Sequence, residues 1–360
     1  MLGGLAAAIA IVLFVTAHEA GHFLAAKAVG MKATEFFFGF GPKLWSVKKG
    51  ETEYGFKLLP LGGYVRIIGM NPLEEVAPAD MGRTYREKKF WEKSVVVLAG
   101  VGTNFLIAFL IFYGVVLANG VPGEPQPVVA EVVAASPAAV AGLEEGDIIL
   151  SVGSHEVSVW DDIPAALQQI GPGPTTVTVD RDGQVVTLAV DLAESDAVPG
   201  AGFLGMAPLV EIMEVGAGAA VGYSGQLVWS GIEDTFSALY EMFRPSSLAQ
   251  YVGVLGGETD IPQEIRPVSP IGIVAIGSQA QNISYFFGVL AFVNVILATI
   301  NLLPLFPLDG GHFAVALYEK LTGRQADIRR LIPVAAAVIG IFVFLGVVAV
   351  ILDITNPIDL

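Results

Sequence analysis

The string His18-Glu19-Ala20-Gly21-His22 places two imidazoles four residues apart. On a helix, positions i and i+4 share one face, so both rings can reach a single ion. Glu19 lies between them, placed to take a proton from a metal-bound water. A catalytic zinc takes three protein ligands and keeps one position open. Read without a metal, the same residues are two histidines and an acid at a helix end beside a membrane surface. The context favours the metal: the string closes an uncharged stretch, residues 1–17, and such groups at the end of an apolar span are costly unless paired or metal-bound.

A third ligand must come from elsewhere. The chain has no Cys, which excludes a thiolate site, a Cys nucleophile and a disulfide framework. The other histidines are His155 and His312. His155 lies in an acidic segment and reads as a surface residue. The better candidate is Asp309, which ends the uncharged run 268–308 in the string Asn301-Leu302-Leu303-Pro304-Leu305-Phe306-Pro307-Leu308-Asp309-Gly310-Gly311. A lone carboxylate there wants a cation. Pro304 and Pro307 break the helix and free backbone groups, and Gly310 and Gly311 permit close backbone approach. Irregular backbone at membrane depth is tolerated only beside protein or a water-filled cavity. The alternative is a helix end with an exposed Asp cap.

The elements that carry these residues are written in the charge pattern. Charged residues make up 15% of the 360, against roughly 25% in an average soluble domain, and mean hydropathy is +0.66. That argues against an ordinary cytosolic enzyme. Residues 1–17, 94–118, 268–308 and 331–352 carry no charge. A helix needs about 20 apolar residues to cross the hydrocarbon core, so four spans are expected. Residues 1–17 lack the basic n-region of a signal peptide and run into His18-Glu19. A fifth uncharged run, 215–232, is rich in Gly and Ser. Val228, Ile232, Phe236, Leu239 and Phe243 follow at helical spacing, so this region reads as an amphipathic helix at the membrane surface.

The net charge of −16 is unevenly spread. Residues 27–93 hold 12 basic and 8 acidic side chains, 119–284 hold 3 and 21, and 310–330 hold 4 and 2. Basic flanks mark the cytoplasmic side. Segments 27–93 and 310–330 therefore read as cytoplasmic and 119–284 as extracytoplasmic. Both His18/His22 and Asp309 then fall at the cytoplasmic ends of their spans. A net acidic chain is a poor nucleic-acid binder, and none is expected as a partner.

The pair HEAGH and NLLPLFPLDGG resembles the site-2 protease family of intramembrane zinc metalloproteases. More specifically it looks like the bacterial branch with an extracytoplasmic PDZ module, similar to regulators that cleave anti-sigma factors. The resemblance spans nearly the whole chain. It implies one Zn2+ held by His18, His22 and Asp309, with Glu19 as the catalytic glutamate. It also implies that Asn301 helps hold an extended substrate backbone, with Pro304 beside it.

Two further strings extend the resemblance. Residues 35–42 begin an aromatic, Gly-broken stretch with Gly39-Phe40-Gly41-Pro42, Trp45–Lys48 and Glu53–Lys57 alternate roughly with period two, and Pro60-Leu61-Gly62-Gly63-Tyr64-Val65 follows. Taken alone they read as a soluble hairpin or as an interface-seated element. Their likeness to the family's membrane-dipping β-loop implies a strand edge, with Gly62 and Gly63, able to pair with an unwound substrate. Ser136-Pro137-Ala138-Ala139-Val140-Ala141-Gly142-Leu143-Glu144-Glu145-Gly146-Asp147 resembles a circularly permuted PDZ domain. It is either a binder of a peptide terminus or a steric guard without a ligand. Asn294, inside the third span, could bond between helices. Asn282-Ile283-Ser284 matches a glycosylation sequon by chance.

The expectation is thus a polytopic α-helical protein of the inner or plasma membrane, with about four transmembrane helices. Its parts are a first span at 1–30, a cytoplasmic-side β-loop and linker at 31–93 and a second span at 94–118. A PDZ domain at 119–210 and an amphipathic, interfacial segment at 211–284 follow. A third span at 285–309, a cytoplasmic loop at 310–330 and a fourth span at 331–353 complete it. Its partners would be the lipid bilayer and single-span membrane proteins, such as pre-cleaved anti-sigma factors or remnant signal peptides. The competing readings are a membrane metal carrier and an inactive PDZ scaffold.

Overall fold

The computed structural model describes residues 2–70, 74–195, 198–259, 261–280 and 282–358. The chain opens with helix α1 (Leu2–Ala28), strands β1 (Ala33–Lys49) and β2 (Thr52–Ile67), and helix α2 (Phe90–Asn119). Then come β3 (Val121–Pro122), β4 (Gln126–Val132), α3 (Pro137–Ala141), β5 (Ile148–Val152), β6 (His155–Glu156) and α4 (Asp162–Ile170). Strands β7 (Gly173–Arg181), β8 (Gln184–Glu194), β9 (Gly202–Phe203), β10 (Met206–Leu209) and β11 (Ile212–Met213) follow. The rest is helical: α5 (Ala217–Met242), α6 (Pro245–Leu255), α7 (Pro270–Gln279), α8 (Ile283–Leu302), α9 (Asp309–Thr322) and α10 (Ile332–Thr355). Two compact units result, one of Met1–Ala118 with Ala217–Leu360, the other of Asn119–Gly216.

In the first unit, among the described residues, four helices are long and apolar enough to cross a membrane: Gly3–Ala28, Phe90–Asn119, Ile283–Leu302 and Ile332–Thr355. They are the four expected spans. At 1.5 Å per residue, even the 20-residue α8 reaches the ~30 Å of a hydrocarbon core. The third span stops earlier than the expected residue 309. Pro304 disfavours helix at the residue before it, and Leu303 adopts an extended φ −58°, ψ 137°. The segment expected as a cytoplasmic loop at 310–330 begins with helix α9, whose first residue is Asp309.

Strands β1 and β2 form a twisted antiparallel ribbon that doubles on itself. Glu35, Phe36, Phe37 and Phe38 lie opposite Glu53–Phe56 on one side and opposite Gly63–Arg66 on the other. The first half of β1 is therefore central, and the last part of β2 forms an edge. Beyond Phe40 the ribbon is exposed and carries Leu44, Trp45, Val47, Phe56, Leu58 and Leu59 on its surface. At its turn Glu51 is bonded by Arg83 and Lys27, which hold its carboxyl down to about 2.

Helix α5 corrects one expectation. Its buried face is Ala220, Ser224, Gly231 and Thr235, one position displaced from the expected stripe, while Phe236 and Phe243 point outward. Val228 and Ile232 pack against Ala108 and Phe112 of α2 and Ala291 and Val295 of α8. The helix thus rests on the sides of two spans instead of only lying at a surface. Small residues allow this close approach, since a Cβ on Gly231 would sit 3.1 Å from Val295 Cγ1.

Helix α7 is held from both sides. Against α1, a Cβ on Gly3 would meet Gly277 O at 2.3 Å. Against α10, Asp353 accepts from the Ser269 N–H at 2.8 Å and pairs with Arg266 at 3.3 Å. Arg266 also donates to the Asn356 carbonyl, and both charged side chains are buried. Removing one partner of a buried pair strands the other charge. Asp353→Ala should cost about 3–5 kcal/mol in a denaturant titration in detergent. A shift near zero would show the pair to be energetically idle.

The second unit is a seven-stranded sheet in the order β10-β4-β5-β7-β8-β9, with β6 pairing β5. Strands β3 and β11 pair separately. Its core gathers Val129, Leu143, Ile149, Ile163, Val177, Val190 and Leu204. Ser136 caps α3 by accepting from Ala139 N–H, with Pro137 at the first turn. Arg181 of β7 grips Asp147 through two bonds of 2.7 Å. Burial pushes the Asp147 carboxyl up, and the Arg181 bonds outweigh it, so the group is held below the usual range.

Candidate metal centre

The centre is built where α1, α2, β2 and α9 meet. His18 and His22 face the same way from the last turns of α1 and are 7% and 5% exposed. Their Nε2 atoms lie 3.1 Å apart. Asp309 Oδ2 lies 3.0 Å from His18 Nε2 and 3.2 Å from His22 Nε2. The ligand atoms of these three residues all fall within 4.8 Å of one another, as one metal ion would need.

Helix α2 makes room for the histidines. A Cβ on Gly100 would stand 2.3 Å from His22 Nε2, so only Gly fits under that ring. A Cβ on Gly21 of α1 would meet Thr103 Oγ1 at 2.5 Å and Ala99 O at 2.6 Å, so the two helices touch closely. His22 Nδ1 sits 2.7 Å from the Val96 carbonyl, which can only accept. Nδ1 is therefore the protonated nitrogen, and Nε2 presents its lone pair to His18 and Asp309.

Asp309 reaches the histidines because the chain doubles back on itself. A Cβ on Gly310 would stand 2.0 Å from Leu302 O, and one on Gly311 would stand 2.5 Å from Leu305 C and Phe306 N. Both glycines are required for the start of α9 to lie against the segment after α8. His312, one turn on, is half-buried with its ring centroid 4.8 Å from that of Phe306.

The donor set fits zinc: two imidazole nitrogens and one carboxylate oxygen, with a position left open. Asp309 Oδ2 and His18 Nδ1 are buried without a well-made hydrogen bond. Three electron-rich atoms facing one another at about 3 Å want a cation between them.

Glu19 lies on the same turn, and its Oε2 accepts from the Val65 N–H of β2 at 3.1 Å. The edge of β2 is thereby anchored beside the histidines. Gly62, at φ +131°, would place a Cβ 2.8 Å from Val15 Cγ1. A Cβ on Gly63 would lie 3.5 Å from Thr16 Cα and 3.6 Å from Glu19 Cγ. Gly62 is thus required for the strand to run against α1, and Gly63 lies in ordinary contact beside Glu19.

The expected site residues thus divide. His18, Glu19, His22 and Asp309 are brought together, with Gly62 and Gly63 against the same turn. Asn301 is half-buried on the last turn of α8, and among the described residues its side chain has no hydrogen-bond partner. Pro304 is exposed in the segment that leads to Asp309. His155 belongs to β6 in the other unit, paired with Val152. Asn294 donates to the Asn104 carbonyl at 2.9 Å, an α8–α2 bond of the expected kind. Sequence reasoning missed Gly100 and the Val96 carbonyl. The one signal for the first was a glycine inside an apolar span, Ala99-Gly100-Val101, where a close neighbour is the usual reason.

Comparison with known proteins agrees with this geometry. The profile of Peptidase family M50 matches residues 6–347. The chain is similar to the zinc metalloprotease Rip1 of Mycobacterium bovis, 34% identical over 98% of this chain and 97% of the relative. It is likewise similar to Rip1 of Mycobacterium tuberculosis (33%; 98% and 97%) and of Mycolicibacterium smegmatis (32%; 98% and 97%). A match of this extent, over a chain whose described residues include four helices long and apolar enough to cross a membrane and an HEAGH–Asp309 cluster, leaves one conclusion: the chain belongs to peptidase family M50, the site-2 proteases.

Proposed function

We propose that this chain is an intramembrane zinc metalloendopeptidase that hydrolyses peptide bonds in the transmembrane segments of single-span membrane proteins. The observation that carries this reading is the convergence of His18, His22 and Asp309 beside Glu19, with the edge of β2 against the same helical turn. His18, His22 and Asp309 would hold the ion. When bound, zinc supplies Lewis acidity, which makes water a nucleophile near neutral pH and polarises a peptide carbonyl.

The chain's own residues do the rest. Glu19 takes a proton from the attacking water and returns it to the leaving amine. The Val65 N–H fixes its carboxylate against rotation. A substrate helix hides its carbonyls in its own hydrogen bonds and must unwind before attack. The edge of β2 at Gly62 and Gly63 would offer replacement backbone bonds, and Asn301 and Pro304, at the end of α8 and in the segment that leads to Asp309, would help hold the extended substrate backbone. Fitting substrates are short membrane stubs, such as pre-cleaved anti-sigma factors or remnant signal peptides.

The basic flanks favour a cytoplasmic-side site in a plasma or inner membrane, with residues 119–284 outside. The sheet with α3 and α4 supports a PDZ assignment for the outer unit. Its edge strand β10 is where a peptide terminus would add, and the unit would also act as a size filter.

The test is cleavage of a single-span reporter in proteoliposomes. Cleavage should stop with a zinc chelator and return when Zn2+ is restored. Chelator-insensitive cleavage would overturn the metalloprotease mechanism, and zinc flux without cleavage would favour a metal carrier. Reporter fusions within 119–284 that prove cytoplasmic would reverse the sidedness.

A further inference from the structure

The metal ligands sit on two helices, α1 and α9, that are far apart in the chain. Something must set their mutual position to a few tenths of an ångström. Helix α2 touches both. The Val96 carbonyl and Gly100 hold His22. One turn earlier on the same face, at a spacing of three residues, stands Lys93. Lys93 is 8% exposed, and its Nζ donates to Glu319 Oε2 of α9 at 2.8 Å. It also lies 5.5 Å from the centre of the Tyr85 ring. Around it, Phe90 of α2 packs on Phe313 of α9, and Lys320 lies 4.5 Å from the Phe90 ring centre.

We infer that the pair between buried Lys93 and half-buried Glu319 is the tether that sets Asp309 against His18 and His22, which makes Lys93 and Glu319 positioning residues of the metal centre. The inference rests on the metal-centre reading above. Apolar packing between α2 and α9 is non-directional and tolerates sliding, whereas a charge-assisted N–H···O bond of 2.8 Å, shielded from most solvent, fixes one register. Glu319 lies ten residues past Asp309 on the single short helix α9. Any shift of α9 along α2 is passed rigidly to Asp309. The stripe Lys93, Val96 and Gly100 thus serves as a template, its first residue placing one ligand and its other two placing another.

The experiment uses the full chain in detergent, loaded with Co2+ for its visible absorption and titrated with Zn2+ in competition with a chromophoric chelator. Lys93→Met and Glu319→Gln should each change the cobalt band pattern and weaken zinc binding by about 10–100-fold, as supporting partners of metal sites do. The exchanged pair Lys93→Glu with Glu319→Lys should restore both toward wild type. A merely structural pair would lower the melting temperature and leave the cobalt spectrum and zinc affinity unchanged, and that result overturns the inference. Glu319→Gln, nearly isosteric, carries the same reading if Lys93→Met does not fold. A wild-type chain that binds neither metal would overturn the metal-centre reading and the tether with it. Binding by wild type with indistinguishable variants overturns the tether alone.

Discussion

Replacing Glu19 by Gln should lower the cleavage rate of a single-span reporter by about 10²–10⁴-fold while zinc stays bound one per chain. The reasoning is geometric. Glu19 is not among the three residues whose ligand atoms converge, so the amide leaves His18, His22 and Asp309 in place. Its carboxylate is set on their helical turn and aimed by the Val65 N–H. The amide is nearly isosteric and can still accept that bond, so the ribbon keeps its seat. What is lost is a group able to carry a proton from water to the leaving amine. The decisive measurement pairs the reporter assay with metal analysis of the same preparation. Undiminished cleavage by Glu19→Gln would remove Glu19 from the mechanism. Loss of zinc together with activity would instead make Glu19 a support of the metal site.

Gly100→Ala should cripple metal binding without touching a ligand. The added Cβ would stand 2.3 Å from His22 Nε2, far inside the roughly 3.5–4.0 Å of an ordinary contact. The ring cannot step aside cheaply, because its Nδ1 is bonded to the Val96 carbonyl of the same helix. Either the ring rotates, losing that bond and its aim, or α1 moves away from α2, where Gly21 is already in close contact. Both outcomes displace Nε2, and zinc affinity should fall by about 10–100-fold. Gly102→Ala is the matched control: the same change two residues along the same helix meets nothing within 4 Å. Chelator competition on the two variants checks this, and equal affinities would refute the cradle.

Which parts of this were legible beforehand follows from which interactions are local. The HEAGH pair is a helical-spacing statement, so the shared face of His18 and His22 could be read directly. The four spans follow from the absence of charge over about 20 residues, a property each segment has by itself. Asp309 could be singled out because a lone carboxylate after an uncharged run demands a partner. The β-ribbon was visible in its alternation, though not the doubling that gives β1 partners on both sides. The stripe of α5 was displaced by one position: Val228 and Ile232 pack on two spans, Phe236 and Phe243 face outward, and small residues at Ala220, Ser224, Gly231 and Thr235 allow the closer packing.

The proposed chemistry of this chain is therefore written in residue types and short spacings: the candidate ligands, the proposed base, the apolar spans and the charge asymmetry. Their meeting is not. That Gly100 lies under His22, that the Val96 carbonyl selects its tautomer, that Lys93 reaches Glu319, and that the Val65 N–H finds Glu19 are contacts between segments from 46 to 226 residues apart. Sequence periodicity reports which side of an element is apolar. It carries no information on which distant element fills that side, since apolar burial is non-directional and many partners satisfy it equally. Only the packed tertiary structure, where a glycine or a single buried bond admits one register and excludes its neighbours, decides where the metal ligands stand.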